Sequence, residues 1–292
     1  MSGLAPAHAL TVDVEDFFHV QAFAELIPRD AWDGLPRRVE RNTDRLLDLC
    51  AQAGVAGTFF TLGWVAERHP ALVRRIVAGG HELASHGHGH QRLDALTPAQ
   101  FRADIVRARA LLEDAGGVAV TGYRAPTFSL GPRTPWAAAL LAETGHRYSS
   151  SVYPVRHDLY GQPDAPRRPF RHAGTALWEL PMSTWRVAGR NLPASGGGLF
   201  RLLPYPLSRL LLRRCPAPAL FYTHPWEIDP DQPRVAGAGA RTRLRHYTNL
   251  RRTLPRLDRL LRDFAWDRID RVFAAELALP TAAAPAAPVA PA

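Results

Sequence analysis

Lysine is missing from this chain: all 36 of its basic side chains are arginine, and against 27 acidic residues they give a formal charge of +9. The replacement of lysine by arginine reads as genomic base composition rather than chemistry, and arginines spread along helices read as solvated faces. The positive balance suits an anionic polymer, a phosphate-linked substrate or a membrane surface. No nucleic-acid module accompanies it, so nucleic acid is not expected as a partner. Cysteine is scarce. Cys50 and Cys215 stand alone in apolar, helical-looking surroundings without a CxxC spacing, so a disulfide framework is excluded and buried free thiols are expected. No apolar run is long enough to span a bilayer. Residues 1–10 lack a charged region followed by a long apolar one, which makes a signal peptide unconvincing and a cytoplasmic protein the expectation.

What the chain has is strand and helix in alternation. Residues 9–12, 57–61, 118–123, 148–152, 177–180 and 219–223 read as strands. Residues 36–53, ending at Gly54, 64–78, 133–144 and 248–263 read as helices. Another helix runs from Thr97, whose capping box with Gln100 has proline at the first helical position, to about Ala115. Residues 199–214 carry leucines and arginines at helical spacing, which suits a buried amphipathic helix or one lying on a membrane. Residues 154–175 read as a long loop. The 292 residues suffice for one large α/β domain, and no 20- to 50-residue repeat is evident. Alternation of this kind predicts a parallel sheet or barrel, with function at the carboxyl ends of the strands.

Those ends carry the reactive side chains. Asp13, Glu15 and Asp16 follow the first strand, Arg124 the third, and His224 a late one. Between them lies Ser85-His86-Gly87-His88-Gly89-His90, three histidines in six residues. His86 and His90 are four apart, so one helical turn would bring both rings to one side. Two imidazoles and a carboxylate leave positions open on a zinc-like ion, as a catalytic rather than a structural site requires. A second carboxylate could serve as general base, a separate histidine as general acid, and an arginine could orient the base. His88 reads as a loop residue; His69, His81, His146 and His172 read as surface or helix-end residues.

In this order and spacing the motifs resemble those of the NodB-type polysaccharide deacetylases, carbohydrate esterase family four. The resemblance runs over residues 9–228 and rests on Thr11-Val12-Asp13-Val14-Glu15-Asp16, His86 to His90, Arg124-Ala125-Pro126 and Tyr222-Thr223-His224-Pro225-Trp226-Glu227. It implies a distorted (β/α) barrel at 9–228, preceded by a tail at 1–8. An extension at 229–275 would pack on the barrel, and a disordered Ala/Pro tail would follow at 276–292. It implies Asp13 as general base, Arg124 as its orienting partner, His224 as general acid, and His86 and His90 as metal ligands. Glu15 and Asp16 compete for the third ligand position. Pro126 and Trp226 are expected along the substrate cleft. The cofactor implied is a divalent metal, zinc with cobalt as a substitute. The partner is an N-acetylated glycan, with peripheral membrane contact left open.

Three stretches narrow the resemblance to a branch associated with bacterial exopolysaccharide clusters and the exosortase system. They are Asp-Val-Glu-Asp-Phe-Phe at 13–18, Gly-Gly-Gly-Leu-Phe-Arg-Leu-Leu-Pro-Tyr from Gly196, and Arg-His-Tyr-Thr-Asn at 245–249. The implied reaction is hydrolysis of N-acetyl groups on that polymer or its lipid-linked precursor, met in the cytoplasm or at the inner membrane face. A deacylase of small amides and a catalytically silent glycan binder are the alternatives. The second is kept open because Ser149 stands where related sequences carry an aspartate, leaving the support of His224 unassigned.

Overall fold

The first strand, β1 (His8–Val14), is buried from Ala9 onward, and that near-continuous apolar run places it in the middle of a parallel sheet. The computed structural model describes residues 7–278. Ten further strands follow: β2 (Thr58–Thr61), β3 (Glu82–Ser85), β4 (Gly122–Tyr123), β5 (Tyr148–Ser149), β6 (Phe170–Arg171), β7 (Trp178–Glu179), β8 (Thr184–Val187), β9 (Arg190–Pro193), β10 (Leu220–Thr223) and β11 (Trp266–Asp267). The main sheet runs β10-β1-β2-β3-β4-β5-β7-β6, with β11 also on β1. Every pair in it is parallel except β6 with β7. This curled, helix-covered sheet is the distorted (β/α) barrel. β8 and β9 form a separate antiparallel hairpin.

The helices cover the sheet. α1 (Val39–Ala53) buries Leu46, Leu49 and Cys50 and ends at Gly54, whose φ of 66° is the left-handed conformation that glycine adopts without penalty. The helix expected over 64–78 is two helices, α2 (Gly63–Arg68) and α3 (Pro70–Ala78). Pro70 forces the break, because a proline drives the residue before it out of helical geometry, and His69 takes φ −132°. α4 (Pro98–Gly116) opens on the Thr97–Gln100 capping box. Only Ala137–Glu143, α5, is helical within 133–144. The single helix expected over 199–214 is α6 (Gly197–Leu202) and α7 (Tyr205–Arg213), separated by Pro204. Their inner face puts Phe200, Tyr205, Leu211 and Leu212 into the core, while Leu202, Leu207 and Leu210 stay exposed.

α8 (Ala240–Tyr247) and α9 (Leu250–Asp263) follow, and Leu257, Leu260 and Leu261 of α9 join the core cluster that contains Leu46 and Leu49 of α1. α10 (Ile269–Val272) and α11 (Ala274–Ala278) close the described chain. Residues 276–278 are therefore helical; the rest of the expected disordered tail, and residues 1–6, lie outside the described residues. No described helix is long and apolar enough to cross a membrane. Of the thiols, Cys50 is buried and Cys215 half-buried, both free. His81 and His146 are buried, not on the surface as expected. The His81 ring accepts the Gly57 amide and that of His146 packs edge-on against Tyr123, and burial pushes both down to about 4.

Candidate active site

β1, flanked by β10 and β2, brings three parts of the chain together. Val12 lies opposite Thr223, so the next residues, Asp13 and His224, leave the sheet side by side. Side chains alternate along an extended chain, so Asp13 and Glu15 share a face and Asp16 takes the other. His224 Nε2 stands 3.8 Å from Asp13 Oδ2 and 3.5 Å from Glu15 Oε1.

Arg124 leaves the end of β4, and its amide bonds Ser85 at the end of β3. Its guanidinium is fully buried. One nitrogen donates to Asp13 Oδ1 at 2.6 Å and to Thr11 Oγ at 2.8 Å; the others reach the Ser150 carbonyl and hydroxyl. The face of Phe60 lies 4.1 Å from it. The serine run at 149–151 therefore serves Arg124: Ser150 holds the guanidinium and Ser151 accepts the Ala125 amide.

The His86–His90 stretch is a loop, not the helical turn its spacing suggests. His90 sits at φ 49°, a left-handed conformation that costs a residue with a Cβ and collects at functional sites. Two outside groups hold the loop. Asp104 of α4 accepts the amides of His88 and Gly89, and Arg29 donates to the carbonyls of Gly89 and His90. Gly87, at φ 73°, lies so near Asp104 that a Cβ there would come within 2.8 Å of its carboxylate. His88 turns from the site toward Glu67, 3.6 Å away.

This loop brings Glu15, His86 and His90 together with their ligand atoms within 4.8 Å of one another. His90 Nε2 and Glu15 Oε2 are 2.8 Å apart, yet Oε2 is buried without a hydrogen bond. His86 Nδ1 donates to the Arg124 carbonyl at 2.8 Å, which leaves its Nε2 lone pair free. Burial pushes His86 down to about 4, so the ring is neutral, the form that binds a cation. Burial opposes the charge on Glu15, but the imidazoles of His90, His224 and His86 hold it well below the usual carboxylate range. A buried carboxylate oxygen without a hydrogen bond, beside the His90 ring and the neutral His86 ring, fits a zinc-class divalent cation with open positions.

Asp16 does not belong to this group. Its carboxylate accepts the amides of Phe17 (2.9 Å), Arg38 (2.5 Å) and Val39 (2.8 Å), tying the end of β1 to the start of α1. Of the two competing carboxylates, Glu15 faces the histidines. Trp226, expected along the cleft, is buried. Its ring stacks on His246 at 4.2 Å and on His224 at 5.1 Å, and its N–H donates to Glu15 Oε1 at 3.2 Å. Pro126 is also buried, at the head of a turn in which Thr127 and Phe128 take positive φ.

Three side chains near the site were not foreseen. Glu227 accepts from His224 Nδ1 at 2.6 Å, and Arg201 donates to the other oxygen of Glu227 at 2.6 Å; both are buried. Burial disfavours a charged His224, but the bond to Glu227 and the charges of Glu15, Glu227 and Asp13 outweigh it and push the imidazole up to about 9. The signal for Glu227 was available: proline at the first helical position and Glu at the third after His224 is a capping box. His19 is the third, buried against Trp32 and Trp64 with its ring 6.4 Å from that of His90. Its Nδ1 accepts the Asp16 amide. No sequence pattern separates His19 from an ordinary buried histidine.

Residues 31–148 match the family described as polysaccharide deacetylase, and residues 150–274 match a domain of unknown function (DUF3473). The chain is 33% identical over 84 residues to a peptidoglycan-N-acetylglucosamine deacetylase of Bacillus cereus, covering 29% of this chain and 30% of that protein. It is 30% identical over 111 residues to a chitooligosaccharide deacetylase of Bradyrhizobium, covering 38% of this chain and 48% of that protein. The matches thus span a third to a half of these relatives. A solved Mycobacterium smegmatis protein assigned as a polysaccharide deacetylase shares the fold, with a TM-score of 0.61 and 21% identity over 96% of this chain and 98% of that one.

Proposed function

We propose that this chain is a NodB-type polysaccharide deacetylase of carbohydrate esterase family four, a metal-dependent hydrolase of N-acetyl groups on amino sugars of a glycan. The observation that carries the reading is the meeting, at the ends of β1, β3, β4 and β10, of an Arg124-bound Asp13, the Glu15–His86–His90 group and His224. Glu15, His86 and His90 would hold a divalent cation, zinc or its substitute cobalt, which when bound would supply Lewis acidity for the acetyl carbonyl and for a water. Asp13, oriented by Arg124, takes the proton of the attacking water. His224 gives a proton from Nε2 to the departing amine. The silent-binder alternative drew its support from the missing aspartate at Ser149; Glu227 on His224 removes that support.

The test is acetate release from N-acetylglucosamine oligomers by metal-stripped protein, before and after zinc or cobalt is restored, alongside Asp13→Asn. Release that needs the metal and is lost in Asp13→Asn is expected. Release that persists without metal, or in Asp13→Asn, overturns the mechanism. The finer reading is an exopolysaccharide or its lipid-linked precursor, met at the inner face of the membrane. The net charge of +9 and the exposed Leu202, Leu207 and Leu210 beside arginines support it. Recovery of the protein only from the soluble fraction, with no deacetylated polymer in the producing cell, would sink it.

A further inference from the structure

We infer that Glu227 is the positioning residue of His224 and that Arg201 fixes Glu227 from the C-terminal part of the chain. The inference rests on the deacetylase reading for its consequence, but not for its geometry. A carboxylate can only accept from His224 Nδ1, so the 2.6 Å contact assigns the proton at that atom and turns Nε2 toward Asp13 and Glu15. The amide of His224 donates to the same Glu227 oxygen at 3.2 Å, so backbone and ring are gripped together. Trp226 stacks along the ring, with the centroids 5.1 Å apart.

Glu227 is itself held from the other side. Arg201 takes its second oxygen and gives three further N–H groups to the carbonyls of Arg245 (2.8 Å), His246 (2.8 Å) and Thr248 (3.1 Å). Asn249 bonds back to the Arg201 carbonyl at 2.7 Å, and Arg201 lies 5.2 Å from the face of Trp226. The segments from Gly196 and at 245–249, far apart in sequence, are thereby joined to one imidazole. Arg201 is 2% exposed and Glu227 1%, which marks a built pair rather than a surface contact.

Glu227→Gln tests this. Glutamine offers one acceptor oxygen to two claimants, His224 Nδ1–H and Arg201, and turns its NH2 on the loser. A general acid matters most when the leaving group is a poor one, such as an amine, and least when it is acidic. The expected result is a kcat for N-acetylglucosamine oligomers lowered about 100-fold with KM little changed, against a loss of about tenfold or less for 4-nitrophenyl acetate. Glu227→Asp should recover part of the amide activity. In His224→Ala, adding Glu227→Gln should cost little more. Equal losses on both substrates, or additive losses in the double variant, overturn the assignment.

A readout without substrate keeps the two readings separable. The wild type should show a downfield Nδ1–H proton resonance, identified by its loss in His224→Ala. It should shift or vanish in Glu227→Gln and persist in Glu227→Asp. If that holds and no oligomer releases acetate, the deacetylase reading fails and the positioning stands. An unchanged resonance in Glu227→Gln overturns the positioning whatever the activity; if that variant does not fold, Glu227→Asp decides, since loss of the resonance there is equally fatal.

Discussion

Glu15 and Asp16 are neighbours of similar chemistry, and their geometry predicts opposite outcomes when each loses its charge. In Asp16→Asn the three backbone N–H groups of Phe17, Arg38 and Val39 meet one acceptor oxygen and an NH2 that can only donate. Hydrogen bonds to a charged group contribute about 1.5–3 kcal/mol each, and a buried donor left without a partner costs about 1–3 kcal/mol, so a loss of about 2–4 kcal/mol is expected. For a chain of 292 residues that corresponds to a fall in Tm of roughly 3–7 °C. The metal group is untouched, so the gain in Tm on adding zinc should remain; saturation at 1,000 times Kd is worth about 4 kcal/mol.

Glu15→Gln should do the reverse. One glutamine oxygen can keep the Trp226 hydrogen bond, but the attraction between the carboxylate and the imidazoles around it is lost, so the metal-free protein should melt somewhat below the wild type. A direct ligand has been weakened, however, and zinc affinity should fall by more than the roughly 10- to 100-fold that loss of an outer partner costs. The assay is a zinc titration against a chromophoric chelator at pH 8, paired with melting curves with and without zinc. Loss of zinc binding in Asp16→Asn with an unchanged metal-free Tm, or retention in Glu15→Gln, would refute the assignment of Glu15.

Two other perturbations have defined signs. Arg124→Met leaves Asp13 buried and unpaired, so urea unfolding should show a loss of about 3–5 kcal/mol together with loss of acetate release; a loss under about 1 kcal/mol would mean that the Arg124–Asp13 pair is not held as described. Glu82, between Thr58, Tyr148 and the Asp270 amide, is pushed up from 4.5 to about 7 by burial, with Asp270 adding to the effect. Its folded form favours the proton, so its contribution is full below about pH 4.5 and is lost as pH rises through about 7, a change of about 3 kcal/mol. Urea unfolding at pH 5 and pH 8 should show that loss in the wild type and not in Glu82→Gln; parallel pH dependence in both would contradict it.

The sheet was legible because its strands are short apolar runs separated by helical periods, and the candidate site because its residues fall where those runs stop. The failures have local causes. Residues 118–123 look like a full strand, but only Gly122 and Tyr123 pair, while Val120 is buried outside the ladder. His81 and His146 resemble surface histidines because nothing local tells a buried imidazole from an exposed one. Glu15 and Asp16 could have been separated by the two-residue alternation of an extended chain, which puts Glu15 on the face of Asp13. His86 and His90 meet through a glycine-containing loop pinned by Asp104 and Arg29, and those partners lie too far along the sequence for any spacing to reveal.

Register is what the site depends on most. Asp13 and His224 are neighbours only because Val12 pairs with Thr223, and Asp13 meets Arg124 only because β2 and β3 separate β1 from β4 on a curled sheet. A one-residue slip of β10 would turn His224 to the other face of the sheet. The hydrogen bonds that oppose such a slip lie outside the ladder: Thr11 Oγ donates to the Phe221 carbonyl, and Ser183 Oγ accepts the Leu220 amide. Glu227 and Arg201 then carry the same constraint from β10 into α6 and the 245–249 segment. The C-terminal part is for this reason a component of the site: it holds His224 at the place where β1 presents Asp13.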